Sequence, residues 1–272
     1  MSAAQPRTKS PEDIGESKCA IDDTVYEDEA IVEGRRTKSV EHKRKQHDPT
    51  ILRVQETVPF HFSPIFLPLT PSNVDSCVAL ENAAFRNPDH RCTPEKFEYR
   101  LTTGSDICFG LFCSVKPAEA RAFGLETIEF AKPVETNRED GEVFVLCAHV
   151  ISTMGKGPVV TDNDMKYPTN WRDASAPKEL GNQLDGRTVC VHSLAVSPKL
   201  QGTGIGKLAM ASYIQIMNES GVADRIALLC QEHLIGYYEE LGFENLGESK
   251  ATFGGGGWYD MVMELEGPSS KD

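Results

Sequence analysis

The pattern of apolar and polar positions predicts a mixed α/β protein built on one sheet. Apolar runs of strand length, bounded by polar, Gly or Pro positions, predict seven strands, at 65–69, 107–115, 142–152, 189–196, 226–230, 243–248 and 258–265. Helical spacing of apolar positions, with capping residues at the ends, predicts four helices, at 70–85, 93–103, 205–220 and 234–241. The expected order is β-α-α-β-β-β-α-β-α-β-β.

Several stretches lie outside this pattern. Residues 1–57 are rich in charge, Ser, Thr and Pro and have little apolar periodicity, which predicts a disordered N-terminal tail. We expect the folded domain to cover residues 58–266, followed by a short C-terminal tail at 267–272. Within the domain, the charged stretch 116–141 and the proline-containing stretch 153–185 are predicted insertions. Loops of that length in a compact domain are either functional lids or disordered.

The composition narrows the class of protein further. A net charge of −13 makes the chain a poor binder of nucleic acid and suits a cationic small molecule such as an amine. The polar N-terminus has no signal-peptide core, and no apolar run approaches about 18 residues, so we expect no membrane association. Eight cysteines are scattered without a CxxC pair. We therefore expect no metal site and a reduced, cytoplasmic protein.

The most informative stretch is Thr188–Ser220, where a buried strand leads through a glycine-rich turn into an apolar helix. The first amides of a helix lack internal partners, and the helix dipole is positive at that end. Glycines without a Cβ let a phosphate approach the main chain closely. We therefore expect the turn Gln201–Gly206 to hold the phosphates of a ligand.

Three phosphate-binding motifs compete for this turn. A Walker A loop is excluded because Leu208 follows Lys207 where Ser or Thr is required. The dinucleotide fingerprint sits tight against its strand, whereas here its first glycine, Gly204, lies eight residues past Val196. The acetyl-CoA loop, Gln/Arg-x-x-Gly-x-Gly/Ala, is matched fully by Gln201, Gly204 and Gly206.

This loop resembles the signature of the GCN5-related N-acetyltransferase (GNAT) superfamily. Three sets of segments sharpen the resemblance towards the arylalkylamine (serotonin) N-acetyltransferases, of a fungal type with inserts: 192–206, then 225–232 with 237–243, then 69–71 with Ala84, Phe85 and Cys92. The resemblance implies a seven-stranded mixed sheet splayed between strands four and five. It also implies acetyl-CoA as cosubstrate, without a metal.

The resemblance also implies roles for individual residues. An ammonium must lose a proton before it attacks a thioester, and His192 is the expected base. Tyr238 stands where the family places the general acid that protonates the leaving thiolate. Animal members carry His-x-His where this chain has Cys190 and His192, so we expect one base, with Cys190 as acetylated nucleophile the alternative. We expect the coenzyme to contact Leu194, Ala195, Val196, Gln201, Gly202, Thr203, Gly204, Ile205, Gly206 and Tyr238.

The sequence alone leaves the chemical class of the acceptor amine and the identity of any partner open. An arylalkylamine needs stacking surface, for which the candidates are Phe85, Cys92, Trp258 and Tyr259. A polyamine needs spaced carboxylates, which the second insertion offers at Asp162, Asp164, Asp173, Glu179 and Asp185. A peptide lysine enzyme and a non-catalytic acetyl-CoA-binding module are further alternatives. The basic clusters 35–36 and 43–45 fit a phospho-dependent partner of the N-terminal tail, although a solvated tail explains them more simply.

Overall fold

The computed structural model describes residues 49–125 and 141–268, which lie within one compact unit, Lys45–Asp272. Their seven strands form one mixed sheet: β1 Pro64–Pro68, β2 Phe109–Val115, β3 Val143–Gly155, β4 Thr188–Val196, β5 Arg225–Cys230, β6 Glu244–Glu248 and β7 Tyr259–Glu264. The strand order is β1-β2-β3-β4-β5-β7-β6, and β4 and β5 are the parallel pair. The predicted fold class is confirmed.

Seven α-helices accompany the sheet in the described residues: α1 Pro49–Thr57, α2 Val74–Ala84, α3 Pro94–Thr103, α4 Pro117–Phe123, α5 Asp162–Met165, α6 Ile205–Ser220 and α7 Ile235–Glu239. The four predicted helices correspond to α2, α3, α6 and α7. Capping residues explain the boundaries, since Thr93 Oγ1 accepts the Lys96 amide at 3.3 Å and α6 lies between the positive-φ residues Gly204 and Gly221.

The sheet opens between β4 and β5. The two strands pair from Thr188 opposite Arg225 to Val191 opposite Leu228. Beyond that point β4 continues to Val196, paired with β3 but not with β5. The main chain of β4 at 193–196 therefore has one unpaired edge in the described part of the sheet, as the predicted splay requires.

Helix α1 corrects the predicted boundary between tail and domain. Its side chains Ile51 and Val54 are buried in the same apolar cluster as Leu200 and Ile205. Each such burial is favourable by about 1.5–3 kcal/mol, which is enough to fix a short helix onto the domain. The prediction of disorder is thus wrong for residues 49–57, because polar neighbours hid an apolar pair at helical spacing. The rest of the predicted tail, residues 1–48, lies outside the described residues.

The two predicted insertions contain ordered structure. Strand β3 runs three residues into the second insertion, to Gly155, and α5 follows. Asn182 then connects this insertion to β3 and α3. Its Oδ1 accepts a hydrogen bond from the Met154 main-chain amide at 2.7 Å, and its main-chain amide donates to Tyr99 Oη at 2.8 Å. The first insertion begins with α4, and its residues 126–140 lie outside the described ranges.

Candidate active site

Two adjoining cavities lie where β4 and β5 separate. The inner cavity, of about 170 Å³, is lined by residues of β4 and β5 together with Phe85, His90, Phe253 and Trp258. The outer cleft, of about 570 Å³, lies towards the start of α6. Phe85, Leu194, Leu234 and Tyr238 line both. The two spaces thus share walls.

The predicted phosphate-binding loop forms one end of the outer cleft, through Gln201, Gly202, Gly204 and Gly206. Gly202 and Gly204 have φ of 77° and 99°, the left-handed region that favours glycine. The first hydrogen bond of α6 runs from the Leu208 amide to the Gly204 carbonyl at 3.0 Å, so the amides of residues 205–207 have no acceptor within the helix. No atom lies within 4 Å of a Cβ placed on Gly202. The loop therefore fits a diphosphate.

Not all predicted coenzyme contacts face this cleft. Leu194 and Val196 line it, while Ala195 between them is fully buried on the other face of β4. Thr203 turns its hydroxyl back to the Leu200 carbonyl, at 2.6 Å, and the side chain of Ile205 is buried in the core. The side chains of these three residues therefore do not face the cleft.

His192 lines the inner cavity, and its ring is held from both sides. Nε2 lies 2.7 Å from Thr153 Oγ1, and Nδ1 lies 3.1 Å from the Met165 sulfur. Burial lowers the pKa of His192 well below its ordinary value, and the positive charges of Arg100 and Lys96 add to the effect. The imidazole is therefore neutral at neutral pH and able to accept a proton.

Cys190 does not line either cavity. Its side chain is fully buried in an apolar cluster with Val160 and Met165, in space that Gly155 leaves open. Burial raises the pKa of the Cys190 thiol far above its ordinary value. A thiol that stays protonated is a poor nucleophile, so the structure argues against the acetylated-cysteine alternative.

Two adjacent tyrosines border the cavities. Tyr238 lines both, and burial raises its pKa, with smaller contributions from Tyr237 and Cys230, so its phenol keeps its proton at neutral pH. Tyr237 lines the outer cleft, and burial raises its pKa to about 12. The Tyr237 hydroxyl is buried without a hydrogen-bond partner, 3.0 Å from the position of a Cβ on Gly206.

Aromatic rings form the far wall of the inner cavity. Of the four predicted acceptor residues, Phe85 and Trp258 line it, whereas Cys92 and Tyr259 do not. His90 packs against Trp258 with ring centroids 5.1 Å apart, and Trp258 Nε1 donates to the Phe253 carbonyl at 2.6 Å. Neither His90 nor Phe253 was predicted, because both lie in irregular segments without periodicity.

Three of the five carboxylates predicted for a polyamine are engaged elsewhere, and Asp173 and Glu179 line neither cavity. Asp162 accepts the amides of Thr252 and Phe253, both at 2.9 Å, and thereby holds the turn that carries the aromatic wall. Asp164 caps α5 through Thr161, and Asp185 pairs with a surface lysine. No Asp or Glu lines either cavity in the described part of the chain.

A buried polar cluster behind β4 escaped sequence reasoning. Glu81 of α2 is 1% exposed, its Oε2 accepts the Cys92 amide at 2.6 Å, and its Oε1 lies 3.4 Å from His149 Nε2. His149 Nε2 is also 3.0 Å from Ser193 Oγ, and Ser193 lines the inner cavity. These residues are far apart in sequence and carry no motif. The cluster ties β3 and β4 to the end of the loop between α2 and α3.

Within the described ranges, no group of three His, Cys, Asp or Glu side chains is arranged to hold a metal ion. In the same ranges no helix is both long and apolar enough to cross a membrane. The cytoplasmic location stays a prediction.

A mixed sheet that splays between β4 and β5, with a glycine-rich loop opening α6 beside the splay, is the GNAT fold. The model of the Acetyltransferase (GNAT) family matches residues 168–243, which include β4, the loop, α6, β5 and α7. The chain is thus similar to this family over the segment that carries the loop and the splayed strands.

Two curated relatives are serotonin N-acetyltransferases. The protein of Mesocricetus auratus is 30% identical over 80 residues, which are 29% of this chain and 39% of the relative. The protein of Macaca mulatta is 27% identical over 82 residues, which are 30% of this chain and 40% of the relative. Among solved structures, a GphF GNAT-like decarboxylase in complex with isobutyryl-CoA is 12% identical, with a TM-score of 0.48 and coverage of 74% of this chain and 99% of that chain. This chain thus spans about two fifths of the curated relatives.

Proposed function

We propose that the protein is an acetyl-CoA-dependent N-acetyltransferase that acetylates the primary amine of an arylalkylamine, such as tryptamine, serotonin or phenethylamine. The observation that carries the proposal is the arrangement of a phosphate-accepting loop, Tyr238 and His192 along adjoining cavities that end in an aromatic wall. The acetyltransferase family match and the partial match to serotonin N-acetyltransferases support it.

Binding of the coenzyme uses main-chain groups of this chain. The free amides at the start of α6 bind the diphosphate, where the helix dipole also favours negative charge. The unpaired edge of β4 at 194–196 binds the pantetheine amides as an added strand would. An amide of the same edge polarises the acetyl carbonyl and holds the developing oxyanion. The loop and β4 thus fix the thioester at the junction of the two cavities.

Proton transfer falls to His192 and Tyr238. His192 accepts the proton that the amine loses, because its depressed pKa keeps it neutral at neutral pH. The nitrogen then attacks the acetyl carbon directly, and the carbon–sulfur bond breaks. Tyr238, which keeps its proton, supplies it to the departing thiolate and is reprotonated by the second proton that the nitrogen releases as the amide forms. No acetylated residue of the protein is formed.

The aromatic wall favours an arylalkylamine over a polyamine. Trp258, Phe253 and Phe85 offer ring surface for stacking, and such contacts are worth about 0.5–1.5 kcal/mol beyond burial. A polyamine acceptor needs carboxylates in the cavity, but none lines it among the described residues, and Asp162, Asp164 and Asp185 bind Thr252, Thr161 and Lys156 instead.

The test is turnover of acetyl-CoA by the purified protein with tryptamine, phenethylamine, spermidine and a lysine peptide in parallel. We expect kcat/KM to be highest for the two arylalkylamines. Preference for spermidine or the peptide would reject the acceptor class and keep the acetyltransferase. Binding of acetyl-CoA without turnover of any acceptor would favour the non-catalytic module.

A further inference from the structure

Helix α1 lies at one side of the outer cleft, although it precedes the predicted domain. It is anchored by Ile51 and Val54, which are buried with Ile205 at the start of α6. The Thr50 methyl group lies 3.0 Å from the position of a Cβ on Gly204. The helix thus packs directly against the glycine-rich loop.

This packing brings Arg53 into the lining of the outer cleft. Arg53 follows Thr50 by three residues, so the two side chains share one face of α1. The cleft is lined by one other cationic side chain, Lys207, which pairs with Glu240. Among the described residues, the guanidinium of Arg53 has neither a hydrogen bond nor an ion pair. A free cation therefore stands beside the loop.

A second group in the same cleft also lacks a partner. The Tyr237 hydroxyl is buried and unpaired next to Gly206, on the side of the cleft formed by α7. A buried hydroxyl without a partner costs about 1–3 kcal/mol, so its presence points to a polar ligand that is bound in function.

We infer that Arg53 binds a phosphate group of the nucleotide coenzyme, so that a helix outside the GNAT core supplies part of the coenzyme site. The inference rests on the proposed function. A guanidinium presents paired N–H donors that match phosphate oxygens, and it stays charged at all relevant pH values. The coenzyme offers two sources of phosphate, its diphosphate and its 3′-phosphate.

The experiment measures Kd by calorimetry for acetyl-CoA and for 3′-dephospho-acetyl-CoA, with wild type, Arg53→Gln and Arg121→Gln. Arg121 is the matched control, an exposed arginine on α4 that lines neither cavity. We expect Arg53→Gln to raise the Kd for acetyl-CoA about tenfold and to flatten its dependence on NaCl, while Arg121→Gln changes neither.

Comparison of the two ligands shows which phosphate group of the coenzyme Arg53 binds. An effect of Arg53→Gln that disappears with the dephospho ligand assigns Arg53 to the 3′-phosphate, and an equal effect on both ligands assigns it to the diphosphate. An unchanged Kd for both ligands, in a variant with wild-type thermal unfolding, overturns the inference and leaves the proposed function standing. Failure of the wild type to bind acetyl-CoA overturns both.

Discussion

Glu81→Gln tests whether the buried carboxylate behind β4 organises the site. The substitution keeps the shape of the side chain and removes its charge. Burial alone raises the pKa of Glu81, but the neighbouring His149 and Ser193 and the hydrogen bond from the Cys92 amide outweigh it, so the pKa lies below its ordinary value. The carboxylate is thus ionised in the folded protein, with the Cys92 amide bound to Oε2 and His149 Nε2 3.4 Å from Oε1.

The expected loss of stability follows from these contacts. Deleting one partner of a buried charged network costs about 3–5 kcal/mol, and the remaining oxygen of Gln still accepts the Cys92 amide at its short distance. We therefore expect a loss of about 3 kcal/mol in the free energy of unfolding at pH 7, which corresponds to about 6–12 °C in Tm. Because Cys92 ends the loop beside the inner cavity, we also expect KM to rise for the amine but not for acetyl-CoA.

The dependence of stability on pH is a further test, and its direction follows from the lowered pKa of Glu81. A carboxyl with a depressed folded pKa contributes stability above its unfolded pKa of about 4.3, and loses it as pH falls through the folded value. Urea unfolding of wild type and variant should differ by a constant amount from pH 8 to 5 and converge below about 4.3. Glu244→Gln, an exposed carboxylate on β6, is the control and should stay within about 0.5 kcal/mol of wild type. A difference at pH 7 no larger than this control's would refute the reasoning.

Three substitutions test the residues along the cavities. His192→Gln should lower kcat/KM about 100-fold or more. In the wild type, kcat/KM should fall on the acid side, below about pH 6.5, as His192 becomes protonated, and the variant should lack this fall. Tyr238→Phe should lower kcat about 100-fold and change the Kd for acetyl-CoA less than about twofold. Tyr237→Phe removes an unpaired buried hydroxyl, so the free energy of unfolding of the ligand-free protein should be unchanged or higher by up to about 1 kcal/mol. The same substitution should raise KM for acetyl-CoA about fivefold.

Each of these predictions has an opposing outcome. An acid-side fall retained in His192→Gln would exclude this histidine as the base. Loss of acetyl-CoA affinity in Tyr238→Phe would make the tyrosine a binding or structural group instead. Destabilisation of the ligand-free protein by Tyr237→Phe would mean that its hydroxyl already has a partner. Stability is read from urea unfolding, and kinetics from release of coenzyme A.

Local signals explain what could be predicted from sequence. Helix α6 is bounded by glycines, so a helix that opens from the glycine-rich turn and stops at Ser220 was predicted, and the splay was implied by the family resemblance. The features that could not be predicted from the sequence depend on long-range packing. Glu81, His149 and Ser193 come together only because the sheet places β3 beside β4 and α2 against them, and no local pattern carries that information. Helix α1 was missed because its anchoring depends on α6.

One side of the inner cavity comes from segments that take no part in the sheet: the loop after α2, helix α5 and the turn before β7. Asp162 of α5 fastens that turn through Thr252 and Phe253. The proposed base and acid, by contrast, lie on β4 and α7. Under the proposed function, the choice of acceptor and the proton transfers therefore depend on different parts of the chain, so that sequence changes in the surface segments can alter the first without moving the base and the acid.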